Sequence, residues 1–240
     1  MPHTLFISDL HLSAGHPRSM EMFQRFIDTL APQAEALYIL GDLFESWAGD
    51  DDLHDRFHAR VISALHGLAV HGTDVYLMHG NRDLLMGDEL AQACHARLLP
   101  DPTLLDLYGI RTLISHGDTL CTDDVEYQKF RAQVHDAAFQ KNFLAQPLAE
   151  RKAYIELLRR QSTSAKQGKD MGIMDVNDDA VAALLRKHGY PRLIHGHTHR
   201  PDRHEHNVDG HVCERWVLSD WDQNAAALHC DAEGCRVLEF

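Results

Sequence analysis

The chain has 240 residues, 44% hydrophobic and 25% charged, with a formal net charge of −13. That length suits one large domain or a core carrying an insertion, and the acidic balance excludes bulk electrostatic attachment to nucleic acid or to an acidic membrane surface, leaving room only for a local basic segment. No apolar run approaches the ~20 residues of a membrane helix, and the N-terminus runs straight into a strand with no leader-like pattern, so a soluble or peripheral cytoplasmic protein is expected.

His3 to Ser8 reads as a strand that ends at Asp9-Leu10-His11. Met22, Phe23, Phe26, Ile27 and Leu30 follow with helical spacing and stop before Pro32. Ala36 to Leu40 is a second buried strand, ending in Gly41-Asp42, and Leu53, Phe57, Val61, Ile62, Leu65 and Leu68 mark a second helix. A third strand, Val75 to Met78, ends in His79-Gly80-Asn81-Arg82-Asp83. This alternation is the signature of parallel α/β architecture. Strands then dominate: Leu104 to Leu107, and Arg111 to Ser115 ending in His116-Gly117-Asp118. Pro191 to Ile194 is another short apolar strand, opening into His195-Gly196-His197-Thr198-His199-Arg200-Pro201. Beyond it, hairpin turns at Val208-Asp209-Gly210 and Ala232-Glu233-Gly234 predict antiparallel strands of a second sheet. The five cysteines are scattered, odd in number and lack a CxxC pair, which predicts reduced thiols.

Five strand ends carry metal-ligand chemistry: Asp9/His11, Asp42, Asn81, His116 and His197/His199. Each alone has a bland reading as a helix cap, a turn residue or a solvated histidine. Together they converge if the strands share a sheet edge, because α/β sites form beyond the carboxyl ends of strands. Imidazole, carboxylate and amide oxygen without thiolate favour Mn²⁺, Fe²⁺, Co²⁺ or Zn²⁺. Seven side chains exceed the needs of one ion but suit two ions ~3.5–4 Å apart, the arrangement used in phosphoryl chemistry, with Asp42 as the natural shared carboxylate.

Asp9-Leu10-His11, Gly41-Asp42, Gly80-Asn81-Arg82-Asp83, His116 and Gly196-His197-Thr198-His199 resemble the motifs of the calcineurin-like metallophosphoesterases. The resemblance implies an α/β fold, an αββα sandwich of two mixed sheets. It also implies one ion on Asp9, His11, Asp42 and His199 and a second on Asp42, Asn81, His116 and His197, with Mn²⁺ the usual metal. Many members carry His where this chain has Arg82. Arginine cannot readily protonate a leaving group but clamps phosphate oxygens through its planar fork, and a departing phosphate, with a second pKa of ~6, needs little protonation. The residue therefore points to a pyrophosphate substrate.

The stretches Gly41 to Trp47, His116 to Asp124 and Ile173 to Asn177 look most like the branch of that family acting on UDP-2,3-diacylglucosamine in the lipid A biosynthesis of Gram-negative bacteria. That branch implies release of UMP and 2,3-diacylglucosamine 1-phosphate by water attack on the α-phosphorus, at the cytoplasmic face of the inner membrane as a peripheral protein, with no nucleic acid and no obligate protein partner. Asp42, Asn81, Arg82, His116 and His197 would serve catalysis. Asp124, Ser162, Lys166 and Lys169 would contact substrate beside Asn81, Arg82 and His197. The core is expected at residues 1–120 and 188–240, with a helical cap inserted at 121–187. Between Cys121 and Gly172 the cap carries nine Lys/Arg against seven Asp/Glu, a locally basic piece of an acidic chain. Its apolar positions (Tyr127, Phe130, Val134, Ala138, Leu144, Leu148, Tyr154, Leu157, Leu158) either line a lipid groove or pack on one another. A phosphoesterase of another nucleotide, a nuclease, and a metal-free scaffold on the same fold are the competing readings.

Overall fold

A computed structural model describes residues 1–166, 175–222 and 224–240, and the side chains of 162–166 lie outside what it describes. The first half alternates as the periodicity requires. Strand β1 (Thr4–Ile7) leads to helix α1 (Pro17–Thr29), β2 (Ala36–Leu40) to α2 (Arg56–Val70), and β3 (Asp74–Met78) to α3 (Asp88–Ala93) and β4 (Ala96–Leu99). Pro17 opens α1, where its missing N–H costs nothing, and Asp55 caps α2 by accepting from the Phe57 and His58 amides. The sequence pattern did not announce α3 and β4, since six and four residues are too short for periodicity to register.

β5 (Thr103–Leu107) and β6 (Ile110–Ser115) form a hairpin. Helices α4 (Val125–Val134), α5 (Ala137–Leu144) and α6 (Leu148–Lys166) follow, then α7 (Asp178–Lys187) and β7 (Arg192–His195). The chain closes with the hairpins β8 (Asp202–Val208)–β9 (His211–Val217) and β10 (Ala226–Asp231)–β11 (Gly234–Glu239). Two mixed sheets result, ordered β11-β10-β1-β2-β3-β4 and β5-β6-β7-β9-β8.

Phe6, Tyr38, Leu40, Met78, Ile114, Ile194 and Leu228 fill the space between the sheets. The outer face of the first sheet buries Leu5, Ile7, Leu37 and Ile39 against Phe23 and Phe26 of α1 and Val61 and Leu65 of α2. Strands covered on both faces must be apolar throughout, which is why β1 and β2 read as unbroken runs rather than alternating ones. Val181 and Leu185 of α7 pack with Leu113, Leu193 and Cys213 on the outer face of the second sheet. The inserted span thus divides: α7 completes the sandwich, while α4–α6 stand over the strand ends. The thiol expectation needs correction. Cys230 and Cys235 face each other in register across the β10–β11 hairpin and are joined as a disulfide, while Cys94, Cys121 and Cys213 are buried and outside any disulfide. Their spacing of five hides a pairing that only the tight turn creates.

Candidate metal centre and substrate cavity

β1, β2 and β3 are parallel neighbours in one sheet, and β6 and β7 are parallel neighbours in the other. Their carboxyl ends therefore deliver Asp9, Asp42, Asn81, His116 and His197 to a common edge. Backbone hydrogen bonds lock the loops together: Asp9 N–H to Gly41 O (3.1 Å), His11 N–H to Asp42 O (3.0 Å) and Gly196 N–H to His116 O (2.9 Å). Asp83, fully buried, accepts from the amides of Gly80 (2.9 Å), Asp42 (3.2 Å) and Phe44 (3.2 Å), so its carboxylate binds the β2 and β3 loops into one piece.

All seven predicted ligands come together. Asp9 Oδ1 lies 3.3 Å from His199 Nε2, which is 3.3 Å from His11 Nε2. Asp42 Oδ2 lies 4.0 Å from His11 Nε2 and 3.9 Å from His116 Nε2. On the far side of Asp42, Asn81 Oδ1 lies 3.2 Å from His116 Nε2 and 2.9 Å from His197 Nδ1. Asp9, His11 and His199 form one group able to hold a metal ion, and Asp9, Asp42 and His116 another, so Asp9 as well as Asp42 stands between the two. Five of the seven (Asp9, His11, Asp42, His197 and His199) sit on left-handed backbone, with φ between 49° and 69°. Each such residue costs on the order of 1–2 kcal/mol, strain that concentrates at functional sites.

The donor set fits divalent ions. Apart from protons or cations placed between them, these atoms are acceptors facing acceptors. His116 directs Nδ1–H to Leu40 O (2.9 Å), which turns the Nε2 lone pair inward. Asp9 Oδ1 is buried and, beyond its 3.3 Å approach to His199 Nε2, has no hydrogen-bond partner among the described residues. Burial pushes the Asp42 carboxyl up to about 6, and the pull of His116 and His11 does not cancel that cost. In the ion-free chain protons meet part of the demand: against burial, Asp42 and Asp9 push His116 up to about 9, and Asp220 and Asp9 push His199 up to about 10. A divalent ion would displace such protons. Burial takes His197 down to about 3, leaving it neutral with a free lone pair. His195 is also neutral, taken down to about 4 by burial. Its Nδ1–H donates to Gly196 O (2.9 Å) and its Nε2 accepts from Arg215 (3.1 Å), so it supports the loop and is no ligand.

Two carboxylates without a role in the sequence reading orient ligands. Glu45 Oε2 lies 3.0 Å from His11 Nδ1, and Asp220 Oδ2 lies 3.3 Å from His199 Nδ1. Glu45 was legible only as a neighbour of Asp42, and Asp220, after β9, carries no motif. The Arg82 amide donates to Asp42 Oδ1 (2.7 Å), and its guanidinium points to Glu45 (3.7 Å).

The cluster opens into a cavity of about 680 Å³ whose other wall is apolar, with Phe130, Val134, Phe139, Phe143, Tyr154, Ile155 and Leu158 from α4–α6 facing Trp47, Leu84 and Leu85. Of the apolar cap positions, Tyr127, Phe130, Val134, Tyr154 and Leu158 line the cavity, Phe130 and Tyr154 while partly open to solvent, and Leu144 and Leu157 are exposed outside it. The cap is held by charge at both ends. Asp118 accepts from Tyr127 Oη (2.8 Å) and Arg131 Nε (2.7 Å) of α4, and buried Arg151 of α6 bonds Ala48 O and Asp51. Asp124 lines the cavity and caps α4 by accepting from the Tyr127 amide (3.1 Å). The side chains of Ser162 and Lys166, and all of Lys169, lie outside the described residues.

Comparison with known proteins agrees with this geometry. The family model of the calcineurin-like phosphoesterases matches residues 2–201. Among similar proteins, the UDP-2,3-diacylglucosamine hydrolase of Aromatoleum aromaticum is 55% identical over 96% of this chain and 94% of its own. The proteins of that name from Xanthomonas axonopodis pv. citri (49% identical, 99% and 98% covered) and Hahella chejuensis (47%, 99% and 97%) match as completely.

Proposed function

The chain belongs to the calcineurin-like phosphoesterase family, and from that membership we propose that it hydrolyses the pyrophosphate bond of UDP-2,3-diacylglucosamine, yielding UMP and 2,3-diacylglucosamine 1-phosphate as a step of lipid A biosynthesis. The observation that carries the reading is one cavity with a polyvalent ligand cluster at one end and an aromatic and aliphatic wall at the other. A phosphorylated headgroup on acyl chains has that division of chemistry. The names of the similar proteins support the same substrate.

Asp9, His11, Asp42 and His199 would hold one ion, and Asp42, Asn81, His116 and His197 a second, with Mn²⁺ as our assignment for both. Bound there, such ions supply a nucleophile from water at neutral pH and offset charge on the phosphate oxygens. The residues do the rest. Arg82, at the cavity's polar end, clamps the diphosphate through its planar fork, and Asn81 and His197 border the same phosphate. Water oxygen is added at the α-phosphorus, and the sugar phosphate departs as an anion without a protonating side chain. Asp124, Ser162, Lys166 and Lys169 are the cap's proposed polar contacts.

Exposed Val125, Leu144 and Leu157, beside the basic residues of α4–α6, suit the cap to rest at the cytoplasmic face of the inner membrane. No helix among the described residues is long and apolar enough to cross it.

The test is release of UMP from UDP-2,3-diacylglucosamine in detergent micelles by the metal-loaded protein, beside deacylated UDP-glucosamine and a model phosphodiester. UMP release favouring the acylated substrate is expected; faster turnover of the phosphodiester would favour the nuclease reading. Two variants sharpen it. Phe130→Asp, at a half-exposed cavity position, should raise KM for the acylated substrate about tenfold by removing part of an aromatic contact, with little change toward the deacylated one. Arg82→Lys keeps the charge but loses the fork, and kcat/KM should fall about tenfold or more with an unchanged melting temperature.

A further inference from the structure

Glu45 occupies a position that metal ligation and substrate contact leave unexplained. Its backbone is fixed, because the Glu45 N–H donates to Leu12 O (3.1 Å) next to the bridge between Leu12 and Phe44. Its side chain is only 12% exposed yet borders the cavity. Three groups from three separate segments meet its carboxylate. His11 Nδ1, on the β1 loop, is 3.0 Å from Oε2, Arg82 Nη1, on the β3 loop, is 3.7 Å from Oε1, and Arg159 Nη2, from α6 of the cap, pairs directly with Oε1. Two guanidiniums brought this close repel each other, and the anion between them removes that repulsion. The other oxygen lies 3.0 Å from His11 Nδ1, and a negative charge there favours the proton on Nδ1 and leaves the Nε2 lone pair for the cluster of Asp42 and Asp9.

We propose that Glu45 is a positioning residue that holds Arg82 and the cap residue Arg159 as a paired phosphate clamp while fixing His11, so that engagement of the cap and orientation of the metal centre are set by one carboxylate. The proposal rests on the diphosphate-substrate reading. In the free protein Glu45 is the internal anion of the arginine pair. An incoming diphosphate, a stronger anion, takes over the guanidiniums from Oε1, and because Arg159 belongs to α6 the exchange draws the cap onto the headgroup. The His11 contact at Oε2 is unaffected.

The experiment compares holoenzyme, Glu45→Gln and Glu45→Asp by metal content, melting temperature, and kcat and KM for UMP release. Gln keeps the shape and an acceptor for His11 but loses the charge. Glu45→Gln is expected to retain its metal and melting temperature, to lose kcat by about tenfold or more, and to change KM less than kcat; Glu45→Asp should regain part of the loss. Wild-type kcat in Glu45→Gln would overturn the proposal. So would a loss accounted for by missing metal or a lowered melting temperature, which marks a merely structural role. Failure of the wild-type protein to release UMP would instead defeat the substrate reading, before any variant is compared.

Discussion

Asp42→Asn should reduce turnover by about a thousandfold or more at saturating metal, the scale of removing a central electrostatic element from an enclosed site, while leaving the fold intact. The amide still offers an oxygen to the Arg82 N–H, so the loop hydrogen bond at 2.7 Å survives. What disappears is a carboxylate charge about 4 Å from both His11 and His116. Stability should move in opposite directions with and without metal. In the ion-free protein burial raises the Asp42 carboxyl from 3.8 to about 6. A raised carboxyl favours the folded state only when protonated, so that contribution is complete below pH 3.8 and is lost as pH rises through 6. At neutral pH wild type bears a cost on the order of 1–3 kcal/mol that Asn does not. Melting at pH 7.5 with a chelator should therefore find the variant more stable by a few degrees, and melting in excess Mn²⁺ should find it less stable. Equal melting in both conditions would remove Asp42 from the ligand set.

Gly196→Ala should be nearly as damaging, for a reason of space. A Cβ there would overlap Ser8 Oγ and Asp9 Oδ2 and lie 2.8 Å from Ser8 Cβ. All three atoms belong to fully buried residues, and Asp9 Oδ2 is also the acceptor of the His197 amide at 2.8 Å. The extra methyl thus pushes on the carboxylate that aligns both ends of the site. Overpacking of this kind costs about 1–3 kcal/mol, and the displacement of Asp9 should lower kcat/KM at least about a hundredfold. Adding Ser8→Gly removes the clash with Ser8 but not with Asp9. The double variant should recover melting temperature more than activity, and full recovery of activity would show that the approach to Asp9 is unimportant.

Much of this site is legible in the chain because its ligands follow buried strands, and a run such as Ala36 to Leu40 followed by Gly41-Asp42 declares both strand and loop. The same alternation declares a parallel α/β architecture, whereas the αββα sandwich of two mixed sheets comes from the resemblance to the calcineurin-like phosphoesterases. Three kinds of feature were hidden. Short elements such as α3 and β4 lack the length for a period to show. Partnerships fixed by register, such as Cys230 with Cys235, need the hairpin before they exist. Roles that depend on three-way convergence, such as that of Glu45, leave no mark in spacing at all: its partners His11, Arg82 and Arg159 are distant in sequence and of ordinary type. The helical span before β7 was visible as one insertion, but only packing separates α7, whose Val181 and Leu185 cover the second sheet, from the three helices that form the cavity wall.

The left-handed backbone at Asp9, His11, Asp42, His197 and His199 sets stability against activity at the same five positions. Glycine adopts that conformation without a Cβ clash, so replacing any of the five would relieve local strain while deleting a side chain of the cluster. A redesign of this chain guided by thermal stability alone would be drawn to these loops first and would return a firmer, inert sandwich. His95, Tyr108, Tyr190 and Asp209 share that backbone in turns away from the site, so it is the strained residues carrying ligand side chains, five of nine, that map the chemistry.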